Sequence, residues 1–226
     1  MEKLTRGILI ALEGIDGSGK STLANNLYTA LQEKNFDAIL TKEPGATALG
    51  KKVREIVHHQ DIPLCTPAEY LLFAADRAQH FAEVIIPSLA QKKIIISDRM
   101  GDSSLAYQGY GNKLDHTMIH TINRWTMSNI TPDITIFVRI PVEIALQRAK
   151  NRGNLSAYEK REAFLHDVAH GFEELYKNRN DVIIVNGIES PESLTNHVCT
   201  AIEQWIQKTL PPHNYGLGTI NKQLLK

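Results

Sequence analysis

Five short runs of the chain, 7–12, 38–41, 93–97, 133–138 and 181–185, are almost continuously apolar or β-branched. Runs of this length without hydrophobic–polar alternation are the pattern of strands buried on both faces of a parallel sheet. Amphipathic stretches lie over 20–34, 47–59, 67–91, 115–128, 141–178 and 191–208, each long enough to be a crossover helix. The alternation predicts an α/β fold with a five-stranded parallel sheet, doubly wound, and helices on both faces. Such folds collect ligands at the carboxyl ends of their strands, so chemistry is expected in the residues that follow each run.

The first run leads through Glu13 into Gly14-Ile15-Asp16-Gly17-Ser18-Gly19-Lys20-Ser21-Thr22 and then into the first helical stretch. A strand ending in a glycine-rich turn that re-enters a helix aims backbone N–H groups, and the partial positive charge of the helix N-terminus, at one spot. This is a phosphate-binding loop, in which Lys20 reaches the β- and γ-phosphates and the Ser21 hydroxyl ligates Mg²⁺. The bland alternative is a βα turn with a solvated lysine; the flanking strand and helix speak against it.

After the second run come Lys42-Glu43-Pro44-Gly45-Ala46-Thr47 and a helix carrying Arg54; after the third come Asp98 and Arg99. An acidic residue at the tip of a buried strand can orient water on magnesium, and the adjacent guanidinium can bridge phosphates bidentately. The alternative is a surface ion pair between neighbours. In the stretch 67–91, helical spacing puts Phe73, Arg77 and His80 on one face and Leu72, Ala75 and Gln79 on another. An aromatic ring beside an arginine can stack a flat base and bond its carbonyl, although a lone phenylalanine equally suits a core. His58, His59 and His80 have no metal-like company and read as surface or packing residues.

Composition narrows the classes. A chain of 226 residues, 42% hydrophobic, suits a single α/β domain over 1–210 with a tail over 211–226 that opens on Pro211-Pro212. With 25 basic and 25 acidic residues there is no net charge to hold a DNA or RNA backbone, so no nucleic-acid partner is expected. Cys65 and Cys199 are far apart, with neither CxxC nor zinc-ligand spacing, which fits thiols in a reducing cytosol. No stretch approaches the roughly 18 apolar residues of a membrane span, and a cytoplasmic protein is expected.

Glu13 to Thr22, Glu43-Pro44-Gly45, Leu72-Phe73-Ala74-Ala75-Asp76-Arg77, Asp98-Arg99 and Ser103 to Gln108, followed by Gly109, together resemble the thymidylate kinases in content and order, over about residues 7 to 208. The resemblance implies a P-loop NTPase sandwich of the nucleoside monophosphate kinase type, acting with ATP and Mg²⁺ on dTMP to form dTDP for dTTP synthesis, usually as a homodimer. It implies that Lys20 and the loop amides of Gly14, Ile15, Asp16, Gly17, Ser18, Gly19, Ser21 and Thr22 hold the donor, with Ser21 and Asp98 at the metal. It places Asp16 near the acceptor sugar and phosphate, Phe73 on the thymine ring and Arg77 at its carbonyl edge. Arg54 and Arg99 clamp the acceptor phosphate, Ser103, Tyr107 and Gln108 line the nucleoside pocket, and Glu43 and Pro44 shape the wall between the two sites.

The chain departs from the family pattern at Met100, where an aromatic is usual, and at Arg139, where an acid often stands. Ser18 occupies a loop position that carries arginine in some members. The segment 148–158, with Arg148 and Arg152, resembles the bacterial-type lid, although Ala157 stands where another arginine is expected; a solvated basic helix end is the alternative. Arg152, beside Gly153, is the first choice for the cation on the transferred phosphoryl, with Arg148 covering the adenine. Competing readings are a P-loop kinase for another nucleotide or nucleoside and a non-catalytic nucleotide switch. The latter lacks the guanine-reading Asn-Lys-x-Asp run.

Overall fold

A computed structural model describes residues 4–59, 62–153 and 158–209. The five runs form one parallel sheet of β1 (Ile8–Glu13), β2 (Ala38–Lys42), β3 (Ile94–Asp98), β4 (Ile134–Arg139) and β5 (Val182–Asn186), in the order β2-β3-β1-β4-β5. Four strands lie one residue later than their apolar runs predict. The polar residues at their tips, Glu13, Asp98 and Arg139, continue the ladder before the chain turns away.

Side chains alternate between two layers. Ile8, Ile10, Leu12, Ile94, Ile96 and Ile136 pack on one face against Leu23, Leu27 and Leu31 of α1 (Lys20–Glu33) and Val198, Ile202 and Ile206 of α9 (Pro191–Thr209). Leu9, Ala11 and Ile95 pack on the other face against Phe81 and Ile85, and Phe137 packs against Leu165 and Phe172. Fully burying each aliphatic side chain is worth ~1.5–3 kcal/mol. Because a one-residue slip would exchange the two faces, this burial also sets strand register.

From central β1 the chain runs out to β2, returns to β3, and crosses to β4 and β5 on the other side. That reversal opens a crevice beyond the carboxyl end of β1.

Three helical regions differ from the sequence pattern. The stretch 67–91 is α3 (Thr66–His80), a π-helical turn over Phe81–Ile85 and α4 (Ile86–Ala90). Pro87, which has no N–H to give, follows the irregular turn. The stretch 141–178 is two helices, α7 (Val142–Asn151) and α8 (Glu162–Tyr176). Gly153 follows α7 at φ 91°, a left-handed conformation that ends the helix.

The third region, 101–111, carried no helical prediction, yet α5 (Gly101–Ser104) runs into π-helical Leu105–Gly111. Its glycines weaken the local signal, but the packing requires them: a Cβ on Gly111 would lie 2.4 Å from the Phe164 ring of α8. The remaining helices are α2 (Ala48–His59) and α6 (His116–Thr126). Ala157 and the tail over 211–226 lie outside the described residues.

Candidate active site

The loop between β1 and α1 is shaped by close approach. Gly14 (φ 144°) and Gly17 (φ 79°) are left-handed, and a Cβ on either would lie 2.6 Å from a backbone oxygen, of Val138 and Ala145 respectively. The turn brings Lys20 back over the loop. Its Nζ donates to the Ile15 carbonyl (2.8 Å) and the Ser18 hydroxyl (3.4 Å), and only 5% of the residue is exposed. Burial, reinforced by the like charge of Arg99, pulls its ammonium down to about 8.

In the first turn of α1, the Ser21 hydroxyl donates to Asp98 Oδ2 at 2.5 Å. This carboxylate and hydroxyl, at the joint tips of β3 and α1, are the hard-oxygen pair that suits Mg²⁺ bound partly through substrate phosphates. Among the described residues no cluster of three or more His, Cys, Asp or Glu forms a self-contained metal cage.

Arg99 follows β3 with a left-handed backbone (φ 74°), uncommon for a residue with a Cβ. Its guanidinium is over-determined. It donates to the Gly14 carbonyl (3.0 Å), the Ser103 hydroxyl (2.9 Å), the Tyr107 hydroxyl (3.3 Å) and Asp16, and lies 5.0 Å from the centre of the Tyr107 ring. The Tyr107 hydroxyl also accepts from the Asp16 N–H (3.0 Å). Burial raises the Asp16 carboxyl, but Arg99 and Lys20 outweigh it and hold the carboxyl below its usual range.

Beneath lies Glu13, fully buried. It accepts from the Met100 N–H (2.8 Å) and the Ser103 hydroxyl (2.5 Å), and burial, then the charge of Asp102, pushes its carboxyl up to about 7. Met100 packs against Leu9, Ala11 and Phe81 and also borders the cavity, so an aliphatic thioether stands at the wall where the family usually places an aromatic. Arg139 pairs with Glu173 of α8 (2.5 Å), which accounts for a base at that strand tip.

β2 and α3 build a second wall. Arg77, 2% exposed, donates through Nε to Glu43 (2.9 Å), through Nη1 to Asn123 (2.7 Å) and through Nη2 to the Ser104 hydroxyl (3.0 Å). Burial raises Glu43, and Arg77 and His80 together overcome it, leaving the carboxyl below its usual range. Asp76 accepts from the Gly45 N–H (3.2 Å), and burial followed by the Glu43 charge pushes it up to about 6. Phe73 is half-buried at the cavity wall. Arg54 reaches the Pro44 carbonyl (3.2 Å).

These walls enclose a cavity of about 1080 Å³. Of the residues singled out in the sequence, Asp16, Gly17, Gly19, Lys20, Ser21, Thr22, Glu43, Pro44, Arg54, Phe73, Arg77, Asp98, Arg99, Ser103, Tyr107, Gln108, Arg148 and Arg152 line it. Gly14, Ile15 and Ser18 do not; they are buried, and the Ile15 side chain belongs to the core.

The lid arginines separate. Arg148 Nη1 lies 3.4 Å from the Ser18 carbonyl, whereas Arg152 grips both carboxylate oxygens of Glu159 at 2.8 Å. Tyr158 and Glu159, which the sequence reading passed over, also line the cavity. Tyr158 stacks on Phe164 and meets Tyr107 edge-on, and Gln108 Nε2 lies 3.4 Å from its hydroxyl. An aromatic–acid pair just after the lid glycine was the available signal. Asn123, from α6, had none in sequence.

A family model described as thymidylate kinase matches residues 12–198. A thymidylate kinase of Carboxydothermus hydrogenoformans is 41% identical over 84% of this chain and 93% of its own length. One from Halothermothrix orenii is 47% identical over 64% of this chain and 70% of its own. The crystal structure of thymidylate kinase from Ehrlichia chaffeensis superposes with a TM-score of 0.71 at 32% identity, covering 87% of this chain and 98% of that one. Parallel sheet, phosphate loop, cavity and relatives agree: this chain belongs to the thymidylate kinase family.

Proposed function

We propose that this one cavity holds both nucleotides of the reaction, donor on the β1–α1 loop and acceptor against β2, α3 and the 101–111 segment. As a thymidylate kinase the chain phosphorylates dTMP, with ATP as donor. The observation that carries the reading is the size and lining of the cavity. At about 1080 Å³ it exceeds the space one small ligand needs, and it joins the phosphate loop to an aromatic–arginine wall.

In this reading Lys20 neutralises the β- and γ-phosphates, and Arg99 and Arg54 hold the acceptor phosphate. Asp16, bonded to Arg99, orients that guanidinium toward the donor loop. Phe73 stacks on thymine, Arg77 bonds its carbonyl edge with donors left over from its three protein partners, and Ser103, Tyr107 and Gln108 border the sugar and base. Glu43 and Pro44 fix the wall between the two ends.

Ser21 and Asp98 would hold Mg²⁺, which supplies charge neutralisation across the phosphates when bound. The protein's own contribution is positioning and preorganised charge in a water-poor site.

A homodimer is part of the proposal. Leu71 on α3 and Met118 and Trp125 on α6 remain exposed, Trp125 by 78%, on helices that pack together, and a second copy of this chain would cover them. Sedimentation velocity reads this directly; a monomer at micromolar concentration counts against it. Among the described residues no helix is long and apolar enough to cross a membrane. The free thiols of Cys65 and Cys199 suit a cytoplasmic setting.

Replacing Phe73 by alanine tests the acceptor end. Base–aromatic stacking in single-stranded nucleic-acid sites is worth about 1–3 kcal/mol, so the KM for dTMP is expected to rise by about tenfold or more. The KM for ATP should stay close to wild type. An equal rise in both would return Phe73 to a packing role.

A further inference from the structure

Arg77 carries the acceptor wall, and its orientation depends on a chain of buried hydrogen bonds that ends in His80. The His80 ring, 0% exposed, lies one turn beyond Arg77 on α3. Its Nδ1 is 3.0 Å from Glu43 Oε1 and its Nε2 is 2.7 Å from the Thr41 hydroxyl of β2. The other Glu43 oxygen, Oε2, takes the Arg77 Nε–H.

An ionised carboxylate can only accept, so the proton of this pair sits on Nδ1; in that tautomer of the neutral ring the Thr41 hydroxyl donates to Nε2. Each Glu43 oxygen thus has one partner from α3, and the carboxylate cannot turn toward one without losing the other. Arg77 is fixed on its far side by Asn123, whose Oδ1 also accepts from the Tyr70 hydroxyl (3.2 Å) and whose Nδ2 donates to the Gly101 carbonyl (2.8 Å). Within this chain Thr41, Glu43 and Arg77 line the cavity, whereas His80, like Asn123 and Tyr70, does not.

We propose that His80 is a positioning residue for the acceptor end: by holding Glu43 through Nδ1 it fixes the Arg77 guanidinium that faces the base of the acceptor. The inference rests on the dTMP-kinase reading of the cavity and adds to it a residue that touches neither substrate. Its physical basis is that a buried carboxylate deprived of one donor seeks another, and the nearest mobile donor is the arginine it is meant to hold still. A role in packing alone would make any replacement weaken the fold and both substrates alike.

Two amides separate these possibilities by where they place a donor. In His80→Asn the side-chain N–H falls near the position of Nδ1 and can still reach Glu43; in His80→Gln it falls near Nε2 and leaves Glu43 Oε1 without that donor. The readouts are dTMP affinity by calorimetry without ATP, and the KM of each substrate in turnover. A hydrogen bond to a charged group is worth about 1.5–3 kcal/mol, so His80→Gln should weaken dTMP binding and raise its KM by about tenfold, with the KM for ATP and kcat within about twofold, while His80→Asn stays within about threefold throughout.

Thr41→Val, which keeps the volume and removes the hydroxyl that orients the ring, serves if the glutamine variant does not fold; it should weaken dTMP by about threefold, since only one neutral hydrogen bond is lost. Unchanged dTMP affinity in His80→Gln, or in Thr41→Val where that variant is the test, would overturn the proposal. So would equal losses for dTMP and ATP. Wild-type turnover of dTMP is measured alongside: its absence would undo the substrate reading itself, whereas normal wild type with an unaffected glutamine variant undoes only the role of His80.

Discussion

Lys20→Ala is expected to lower kcat by about 10²–10³ or more while leaving the fold in place, because removing one preorganised charge from a phosphoryl-transfer site costs that much. The lysine sits where this loss is greatest. It is 5% exposed, its Nζ is already drawn onto the loop carbonyl of Ile15, and burial has lowered its affinity for a proton to about 8. The ammonium is still mostly charged at neutral pH, a polyphosphate arriving on the loop stabilises that form further, and the interaction tightens as charge spreads over the transferring oxygens. Since α1 is anchored by Leu23, Leu27 and Leu31, the variant should unfold within a few degrees of wild type. Near-normal kcat in such a folded variant would remove the loop from the chemistry.

The second large effect is expected in the lid. Ser18 supplies no charge from the loop, so the proposed cation over the transferred phosphoryl comes from α7 or the turn after it. Arg148 lies against the Ser18 carbonyl at the donor loop. Arg152 is held by both oxygens of Glu159, next to Tyr158, which in turn touches Tyr107 and Gln108 of the acceptor wall. In the proposed arrangement Arg152 therefore lies between donor and acceptor, where its partner carboxylate limits the orientations it must give up when the phosphoryl moves.

Arginine fingers contribute roughly 10³–10⁵ in related chemistry, so Arg152→Ala should lower kcat by about 10³ with a much smaller change in KM, the signature of a contact made mainly in the transition state. Arg148→Ala should act mainly on the KM for ATP, by about tenfold. If both variants and their double keep kcat within about threefold of wild type, the lid carries no catalytic charge and Arg99 inherits the role.

The fold was largely legible. Ile8, Ile10, Ile94, Ile96 and Ile136 form uninterrupted apolar runs because both faces of their strands are covered, and such runs read clearly. The phosphate loop read clearly as well, since its glycines are demanded by backbone geometry within the loop itself. What could not be read depends on distant partners. Helix 101–111 is hidden by glycines that make room for distant partners: a Cβ on Gly109 would lie 2.9 Å from His116 of α6, and one on Gly111 would lie 2.4 Å from Phe164 of α8, about fifty residues away in sequence.

The face of α3 was read as a ligand surface through Phe73 and Arg77, with His80 on the same face as a surface or packing residue. The structure shows that Phe73 and Arg77 reach the cavity while His80 is turned into the protein toward Thr41 and Glu43. Helical spacing gives angles around an axis and says nothing of what packs there. Asn123 was invisible for the same reason: an asparagine in an amphipathic helix looks like any polar residue until Arg77 and Tyr70 are found on it.

The central claim is that one cavity joins ATP to a thymine nucleotide that already bears a phosphate. A coupled ADP-release assay with ATP and, in turn, dTMP, dUMP, dCMP, dGMP and thymidine tests it most directly. The account predicts the highest kcat/KM for dTMP. It predicts a loss of about 10–200-fold for dUMP, which lacks one methyl group in an aromatic pocket. Turnover of dCMP, dGMP and thymidine should be negligible, because the first two present the wrong edge to Arg77 and the last brings no phosphate to Arg54 and Arg99. Turnover of thymidine or dGMP at a rate matching dTMP would contradict it.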